Sequence, residues 1–238
     1  MNKLHIITPV KDSMETTLRT IASIMDSEIT IDFSYTVYND FSTDANTSIL
    51  EQKSAELGFN LINLKQITLH PSPNYLQILQ NAQHSANFEH AHLMIIESDV
   101  MVEKDTIQYM YDSISTLGKA GIIAAITTDI QGKVNYPYVF AKRFLSGSIN
   151  TRKKLSFCCT LLTQPFLNSY NFDTLNTENT WYNKFLSHKS IELGFENYLL
   201  TSTKVVHIQQ SMYPWKHIKQ TQPMKYYWKK LIEALSNN

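Results

Sequence analysis

Apolar stretches of two kinds alternate along the first 127 residues. Short runs, some continuous and some with every second position apolar, are separated by longer segments with apolar residues at helical spacing. The short runs predict strands at Leu4–Thr8, Ile31–Tyr38, Phe59–Leu64, Leu93–Ile96 and Gly121–Thr127. Strands that alternate with helices in this way predict an α/β fold with a doubly wound, mostly parallel sheet.

The segments between these strands carry the start and stop signals of helices. Asp12 or Ser13 can cap the first helix, and Ser42 or Thr43 can cap the second, which we expect to end at Gly58. Two further helices are predicted, one from the loop Pro71–Asn74 to about Phe88 and one over about Glu103–Leu117. These boundaries leave short polar loops after the strands.

The second half of the chain is less regular. It is predicted to contain a hairpin (Lys133–Leu145), a strand (Leu155–Leu162), a helix (Trp181–Leu193), an extended segment (Asn197–Val206) and a terminal helix (Met224–Leu235). This mixture predicts a mixed or antiparallel extension of the sheet. A chain of 238 residues has the size of one domain, so we expect a single domain over residues 1–238 with two halves, 1–127 and 128–238.

Two carboxylates separated by one residue follow the continuous apolar run Leu93–Ile96. In an extended chain residues i and i+2 point the same way, so Glu97 and Asp99 are expected to face one point beyond the carboxyl end of that strand. Ligands bind at this edge of open α/β sheets, and paired acids suit a hard divalent cation, which commonly brings a phosphate. The alternative is that the pair only ends the strand and caps the next helix, with Glu103 and Asp105 as neighbours.

Charge, cysteine content and the absence of long apolar runs bear on the expected partners and cellular location. Lys+Arg and Asp+Glu balance at 21 each, so no net field attracts nucleic acid, and we expect no nucleic-acid partner. Cys158 and Cys159 are adjacent in an apolar run, which predicts buried thiols and no disulfide. The sequence contains neither a signal-peptide pattern nor an apolar run long enough to span a membrane, so we expect no transmembrane segment and a cytoplasmic location.

Six motifs resemble, in their order and spacing, those of one protein family. They are Ile6–Val10, Asn39–Asp44, Asn81–Ala82, Glu97–Asp99, Phe157–Leu162 with Asn171–Asp173, and Gly194–Phe195 with Val205–His207. Together they resemble the family 2 glycosyltransferases of the GT-A fold, over residues 4 to about 211. The segment Glu97–Asp99 stands at the family's Asp-x-Asp position, and Asn39–Asp44 stands where the family has Asp-Asp-Gly-Ser-Thr-Asp.

The resemblance implies a metal site. Asp99 would be the direct carboxylate ligand of Mn²⁺ or Mg²⁺, and His207 would supply a neutral imidazole ligand. Glu97, which is one carbon longer than the family's first Asp, would hold the ribose or a metal-bound water. For His207 the alternative is a strand-end histidine that is hydrogen-bonded to a carbonyl group.

The resemblance also implies a nucleotide-sugar pocket in the half 1–127 and an acceptor side in the half 128–238. The residues expected to contact the nucleotide sugar are Pro9, Val10, Asp12, Asp40, Asn81, Glu97 and Ser98. Asp40 would bind the base or the ribose. For Asp40 the alternative is an Asx turn or a helix cap.

Two positions depart from the family pattern. Gln80 stands where the family has an arginine, which removes a positive charge near the acids. Asn183 stands at the position of the acid that takes the proton from the acceptor hydroxyl in inverting transfer, and an amide cannot accept that proton usefully. Glu178 or Asp173 could take this role after a local shift, the diphosphate or a water could assist, or the chain could transfer poorly. The catalytic base is therefore unassigned.

The resemblance implies a hexosyltransferase-like enzyme. It would move a sugar from a nucleoside diphosphate sugar, expected to be UDP-linked, to a hydroxyl acceptor such as a glycan or a lipid-linked sugar. The transfer would invert the sugar's configuration and serve glycan or polysaccharide assembly. One alternative is a nucleotide-sugar-binding protein with weak or no catalysis. A nucleotidyltransferase ranks lower, because Pro9–Asp12 lacks the glycines of its phosphate loop.

The carboxyl-terminal segment Lys225–Leu231 mixes lysines with aromatic residues. We expect a helix whose aromatic side packs on the domain while its lysines stay in water. The other interpretation is a helix that rests on an anionic membrane. Peripheral contact at the inner membrane face is therefore a second option for the location.

Overall fold

Within residues 3–143, 147–175 and 181–208, which the computed structural model describes, nine strands form one mixed sheet. The strands are β1 (Leu4–Val10), β2 (Phe33–Asn39), β3 (Asn60–Asn63), β4 (His92–Ile96), β5 (Val100–Met101), β6 (Ala120–Thr128), β7 (Ser148–Asn150), β8 (Cys159–Leu162) and β9 (Glu196–His207). The helices are α1 (Met14–Met25), α2 (Asp44–Leu57), α3 (Tyr75–Phe88), α4 (Thr106–Asp112), α5 (Gln164–Ser169) and α6 (Tyr182–Glu192).

The sheet has the order β3-β2-β1-β4-β8-β6-β9-β5, and β7 pairs with β9. Strands β1 to β4 are parallel to one another, and β8 lies antiparallel between β4 and β6. Strand β9 is parallel to β6, whereas β5 and β7 run antiparallel to β9. The predicted mostly parallel sheet with antiparallel additions is confirmed.

Helices cover both faces of the sheet, which explains the continuous apolar run of β4. Leu93 and Ile95 lie in a core with side chains of α3, α5 and α6. Met94 and Ile96 lie in a second core with side chains of α1, α2 and α4. A strand that is buried on both sides needs apolar residues at every position. The sheet is therefore doubly wound.

Several local signals act as the sequence predicts. The side chain of Thr43 caps α2 by accepting a hydrogen bond from the Asn46 backbone N–H, at 3.4 Å. Gly58 ends α2 with φ of 81°, a conformation that costs glycine little. Ser13 occupies the N-cap position of α1, but it adopts φ of 53° and its side chain does not cap the helix. The first loop is therefore shaped by other contacts.

Three predicted elements differ from the structure. Helix α4 ends at Asp112 and is followed by a 3₁₀ turn, so it is shorter than predicted. Residues 133–143 are not a hairpin, because Val134 forms a single bridge to Thr128 and residues 139–141 form a 3₁₀ turn. Strand β8 begins at Cys159. The predicted terminal helix and Lys225–Leu231 lie outside the described residues, and no described helix is long and apolar enough to cross a membrane.

The carboxyl ends of β1, β2 and β4 meet at one edge of the sheet, which we name the carboxyl edge. The chain order reverses between β1 and β4, so the loops after these two strands flank a switch point of the topology. Strand β8 runs the opposite way, and Cys159 at its start pairs with Ile96 at the end of β4. The carboxyl edge therefore collects the residues after Val10, Asn39 and Ile96 and those before Cys159.

Candidate metal and nucleotide site

The acids after β4 flank a turn. The Val100 backbone N–H donates to the Glu97 carbonyl at 3.1 Å, and β5 then pairs antiparallel with β9. The expectation that an extended chain would point both acids the same way is therefore wrong in its geometry. The turn nevertheless brings Glu97 and Asp99 to the same neighbour, the side chain of His207.

Backbone pairing fixes His207 beside Asp99. Val100 pairs with His207, and the Ile208 N–H donates to the Asp99 carbonyl at 2.8 Å. His207 Nδ1 lies 3.1 Å from the Tyr136 carbonyl, so this nitrogen carries the hydrogen and Nε2 has the lone pair when the ring is neutral. Nε2 lies 3.4 Å from Asp99 Oδ2. A lone pair that faces a carboxylate at this distance requires a cation between them, either a proton or a metal ion.

The electrostatics at His207 agree with this reading. The ring is buried, and burial, the largest single influence, lowers the pKa of His207. The hydrogen bond and charge of Asp99, followed by the charge of Glu97, act in the opposite direction and outweigh burial. The net result is a raised pKa, so the site holds positive charge more readily than a free imidazole does.

Cys158 joins these residues, although no sequence motif indicates a ligand at this position. One ligand atom from each of Glu97, Cys158 and His207 lies within 4.8 Å of the others, so the three could hold a metal ion. The Glu97 N–H donates to the Cys158 carbonyl at 2.9 Å, which continues the β4–β8 pairing past Ile96. Cys158 is buried, as predicted; burial and then the charge of Glu97 raise the pKa of its thiol. Only the antiparallel insertion of β8 reveals its position.

A buried tyrosine hydroxyl near this cluster has no hydrogen-bond partner among the described residues. The Tyr75 hydroxyl is buried, and no described residue hydrogen-bonds to it. Its ring stacks against Phe157 and Tyr182, with centroid distances of 6.4 and 6.3 Å. Burial, and then the charges of Glu97 and Cys158, raise the pKa of Tyr75. A buried polar atom without a partner beside converging ligands fits a site that is completed by a bound group.

Asp40 directly follows β2, and both of its carboxylate oxygens accept hydrogen bonds from the loop before α3. Its Oδ2 accepts from the Ser72 hydroxyl at 2.7 Å and from the Asn74 N–H at 2.9 Å. Its Oδ1 accepts from the Asn74 side-chain amide at 2.8 Å. The carboxylate is 7% exposed. Asp40 therefore ties the loop before α3 to β2, which is neither of the structural roles, Asx turn or helix cap, that the sequence suggests for it.

Asp12 joins the first two loops of the carboxyl edge. Its Oδ1 accepts from the Thr43 N–H at 3.0 Å and from the Asn46 amide at 2.9 Å, and its own N–H donates to the Ser42 hydroxyl. Hydrogen bonds from Thr43 and Asn46 lower the pKa of Asp12. Asp12, Ser13 and Phe41 all have φ between 52° and 60°, and such strained positions cluster where backbones are shaped for ligands.

Pro9 and Val10, expected beside these loops, lie at the end of β1. The Val10 carbonyl accepts from the Asp40 N–H at 2.7 Å, so the ends of β1 and β2 are held together. Ser98 lies in the turn after β4, and Asn81 is partly buried on α3. The predicted nucleotide-sugar residues are thus distributed over the loops of one sheet edge and the adjacent helix α3.

The comparisons with known proteins agree with this arrangement. A family model described as "Glycosyl transferase family 2" matches residues 5–170, more than half of the chain. The chain belongs to glycosyl transferase family 2. Asp12, Asp40, Glu97, Asp99 and Cys158 lie within the matched residues, whereas Asn183 and His207 lie beyond them. A search of curated proteins finds no match.

Solved glycosyltransferase structures show the same GT-A fold. TarS 1-349 of S. aureus in complex with UDP-GlcNAc has a TM-score of 0.63 at 14% identity, covering 87% of this chain and 59% of the 1-349 chain. The mannosyltransferase PcManGT from Pyrobaculum calidifontis, in complex with GDP-Man and Mn²⁺, has a TM-score of 0.64 at 13% identity, covering 97% and 64%. GalNAc-T7 with UDP, GalNAc and Mn²⁺ has a TM-score of 0.64 at 11% identity, covering 88% and 44%. The chain thus spans 44–64% of the length of these three solved chains.

Asn183 and Asp173, two of the residues considered for the family 2 base, have other contacts. The side-chain amide of Asn183, at the start of α6, donates to the Leu155 carbonyl at 3.1 Å. Asp173 is exposed, and its carboxylate lies 3.0 Å from His84 Nε2. Glu178 lies outside the described residues. Gln80, at the position of the family's arginine, donates to the Phe172 carbonyl at 3.1 Å. Asn183 and Gln80 therefore hold backbone segments in place.

Proposed function

We propose that this family 2 chain moves a sugar from a nucleoside diphosphate sugar to a hydroxyl acceptor, in a metal-dependent and inverting reaction. The observation that carries the proposal is the convergence of Asp99, His207 and Glu97 at the switch point of the carboxyl edge. We expect UDP to be the nucleotide. Glycan or polysaccharide assembly is the proposed setting, with a glycan or a lipid-linked sugar as acceptor.

The cluster after β4 would hold a divalent ion, Mn²⁺ or Mg²⁺, with Asp99 and His207 as ligands. Such an ion neutralises the charge that develops on the departing nucleoside diphosphate. The Tyr136 carbonyl orients His207 by accepting the Nδ1 hydrogen, so that Nε2 is directed at the side of Asp99. Glu97 lies within reach of the same point and would hold the ribose or a metal-bound water.

The loops after β1 and β2 would hold the nucleotide. Asp12 and Asp40 are occupied by internal hydrogen bonds, so we propose that they act by shaping the loops around Pro9 and Val10. Ser98 and Asn81 would complete the donor pocket. In this proposal residues 1–127 supply the donor side and residues 128–238 the acceptor side of one domain, in the cytoplasm or at the inner membrane face.

A second candidate is a nucleotide-sugar-binding protein with weak or no transfer. The observation that favours it is the Asn183 amide, which donates to Leu155 and cannot accept a proton from an acceptor hydroxyl. The family assignment favours both candidates over a nucleotidyltransferase.

Calorimetric titration with UDP, GDP and CDP, with and without Mn²⁺, tests the donor site. We expect one nucleotide to bind in a metal-dependent manner to the wild type and to Asp32→Ala, a surface control, and not to Asp99→Ala. No binding of any nucleotide in the presence of metal would contradict the proposal. Measured sugar transfer by the wild type, lost in Asp99→Ala, would rule out the binding-protein candidate.

A further inference from the structure

The cluster at the end of β4 contains a sulfur atom as well as oxygen and nitrogen ligands. Cys158 Sγ lies 3.4 Å from Glu97 Oε2 and 3.2 Å from the Ser156 hydroxyl. Glu97, Cys158 and His207 form the one group of three or more potential ligands found among the described residues. Cys158 is therefore placed among polar and charged groups, although it lies in an apolar run of the sequence.

The distances in this cluster suit a shared ion. Two ligands bound tetrahedrally at about 2.1 and 2.3 Å lie about 3.6 Å apart, and the contact between Cys158 Sγ and Glu97 Oε2 already has this separation. The largest separation in the group is within 4.8 Å, so a small side-chain movement of His207 brings the third ligand in. The unpartnered Tyr75 hydroxyl nearby is a second, independent sign of an incomplete polar site.

The neighbouring cysteine shows what an ordinary buried thiol looks like in this chain. Cys159 Sγ contacts the sulfur of Met110 at 3.6 Å, in the core that includes α4. Burial alone raises the pKa of Cys159, to about 12, with no acid contributing. The two adjacent cysteines thus share burial and differ in their partners, which makes Cys159 a matched control.

We propose that Cys158 is a thiolate ligand of the metal ion alongside Asp99 and His207, that Glu97 binds the same ion directly rather than through a water, and that the thiolate gives the site a preference for Co²⁺ or Zn²⁺ over Mg²⁺. Thiolate and imidazole ligands favour borderline ions, whereas Mg²⁺ prefers oxygen ligands and keeps its waters. On binding, the S–H bond of Cys158 breaks, its proton passes to solvent and an Sγ–metal bond forms, with no change of oxidation state. This inference rests on the metal site of the proposed function.

Titration with Co²⁺ tests the proposal, because a cobalt–thiolate bond gives a charge-transfer band in the near ultraviolet. We expect the band in the wild type and in Cys159→Ser, and its absence in Cys158→Ser, with Co²⁺ affinity reduced at least about tenfold. An excess of Mg²⁺ should displace Co²⁺ from Cys158→Ser and not from the wild type. A wild type that binds Co²⁺ without the band, or a band that persists in Cys158→Ser, would overturn the proposal.

Alkylation of the wild-type protein gives a test that needs no variant to fold. Zn²⁺ or Co²⁺ should slow the alkylation of Cys158, measured by peptide mass spectrometry, whereas Mg²⁺ should not. The alkylation rate of Cys159 should be the same with each of the three ions as without them. Equal labelling of Cys158 with and without Zn²⁺ would contradict the proposal.

Nucleotide titration distinguishes the two possible failures. Metal-dependent nucleotide binding without the thiolate band would leave the proposed function standing and remove Cys158 from the ligand set. A thiolate band without nucleotide binding would keep Cys158 as a metal ligand and contradict the proposed function.

Discussion

Two groups of acids lie at the carboxyl edge of the sheet, and their surroundings differ. Asp12 and Asp40, after β1 and β2, accept hydrogen bonds from backbone N–H groups and side chains of neighbouring loops. Glu97 and Asp99, after β4, face His207, Cys158 and each other's negative charge. The first pair accepts hydrogen bonds from neighbouring loops, whereas the second pair is directed at the imidazole and thiol side chains of the candidate metal site.

The difference teaches how to read acids that stand in motif positions. All four residues match or adjoin motifs of the family, yet the second pair lies beside His207 and the first pair beside hydrogen-bond donors of the loops. A carboxylate that already accepts three hydrogen bonds stabilises a loop conformation, and it contributes to ligand binding through the backbone that it holds. A carboxylate aimed at an imidazole lone pair contributes through its charge.

The largest effect should come from the first group. Asp40→Ala leaves the Asn74 and Ser72 donors without their acceptor, which we expect to lower the free energy of unfolding by about 4 kcal/mol. The affinity for metal should be unchanged. Urea denaturation measures the first quantity and cobalt titration the second. Asp44→Ala, which removes only an exposed pair with Lys65, should leave the free energy of unfolding nearly unchanged. Equal costs for the two variants would remove the distinction.

His92 makes the stability of the fold depend on pH. Burial at the amino end of β4 lowers the pKa of His92 to about 4, and its Nδ1 accepts from the Gln164 N–H. The unfolded chain, with a histidine pKa of about 6.5, binds a proton that the folded chain excludes, so stability is lost as pH falls from about 6.5 to 4. The loss from this residue is at most about 3 kcal/mol. The difference in pH-dependent denaturation between the wild type and His92→Gln isolates it; parallel curves would contradict the prediction.

The second group should respond to metal. At a metal concentration of 100 times Kd, binding should stabilise the wild type by about 2.7 kcal/mol. Asp99→Asn should abolish this gain, whereas Asp32→Asn, which alters a surface partner of Lys3, should keep it. Thermal unfolding with and without Mn²⁺ or Co²⁺ provides the measurement. A full metal response in Asp99→Asn would place the ion elsewhere.

The smallest effect concerns Asn183. Asn183→Asp replaces the donor to the Leu155 carbonyl by a carboxylate, so we expect a loss of about 2 kcal/mol in stability and no gain in transfer. Asn183→Ala, which only removes the donor, should cost less. An increase in kcat with unchanged stability would instead identify residue 183 as a base position that the acid restores.

Much of the fold was predictable because its signals are local. The continuous run of β4, the stop at Gly58 and the cap at Thr43 each act within a few residues, and all three are found in the structure. The predicted hairpin (Lys133–Leu145) is not found in residues 133–143, where tertiary contacts such as that from the Asn135 amide to the His207 carbonyl organise the chain. Helix α4 is also shorter than predicted.

The candidate site was predictable in part. Glu97 and Asp99 could be predicted from the sequence, because they directly follow the continuous apolar run Leu93–Ile96. Cys158 could not, since its partner Glu97 is 61 residues away and only the pairing of β8 with β4 brings the two together. The bonds that occupy Asp40 were likewise hidden, because they come from a loop 32 to 34 residues further along the chain.

The position of β8 between β4 and β6 also has a consequence for synthesis. Both neighbours leave the ribosome before β8, so each exposes an unpaired strand edge until residues 159–162 appear. At about 5–20 residues per second, the wait from the end of β4 to the start of β8 lasts roughly 3 to 13 seconds. During this interval the edges of β4 and β6 that will pair with β8 are unpaired. We expect chaperones to bind the nascent chain at these edges and aggregation to start there.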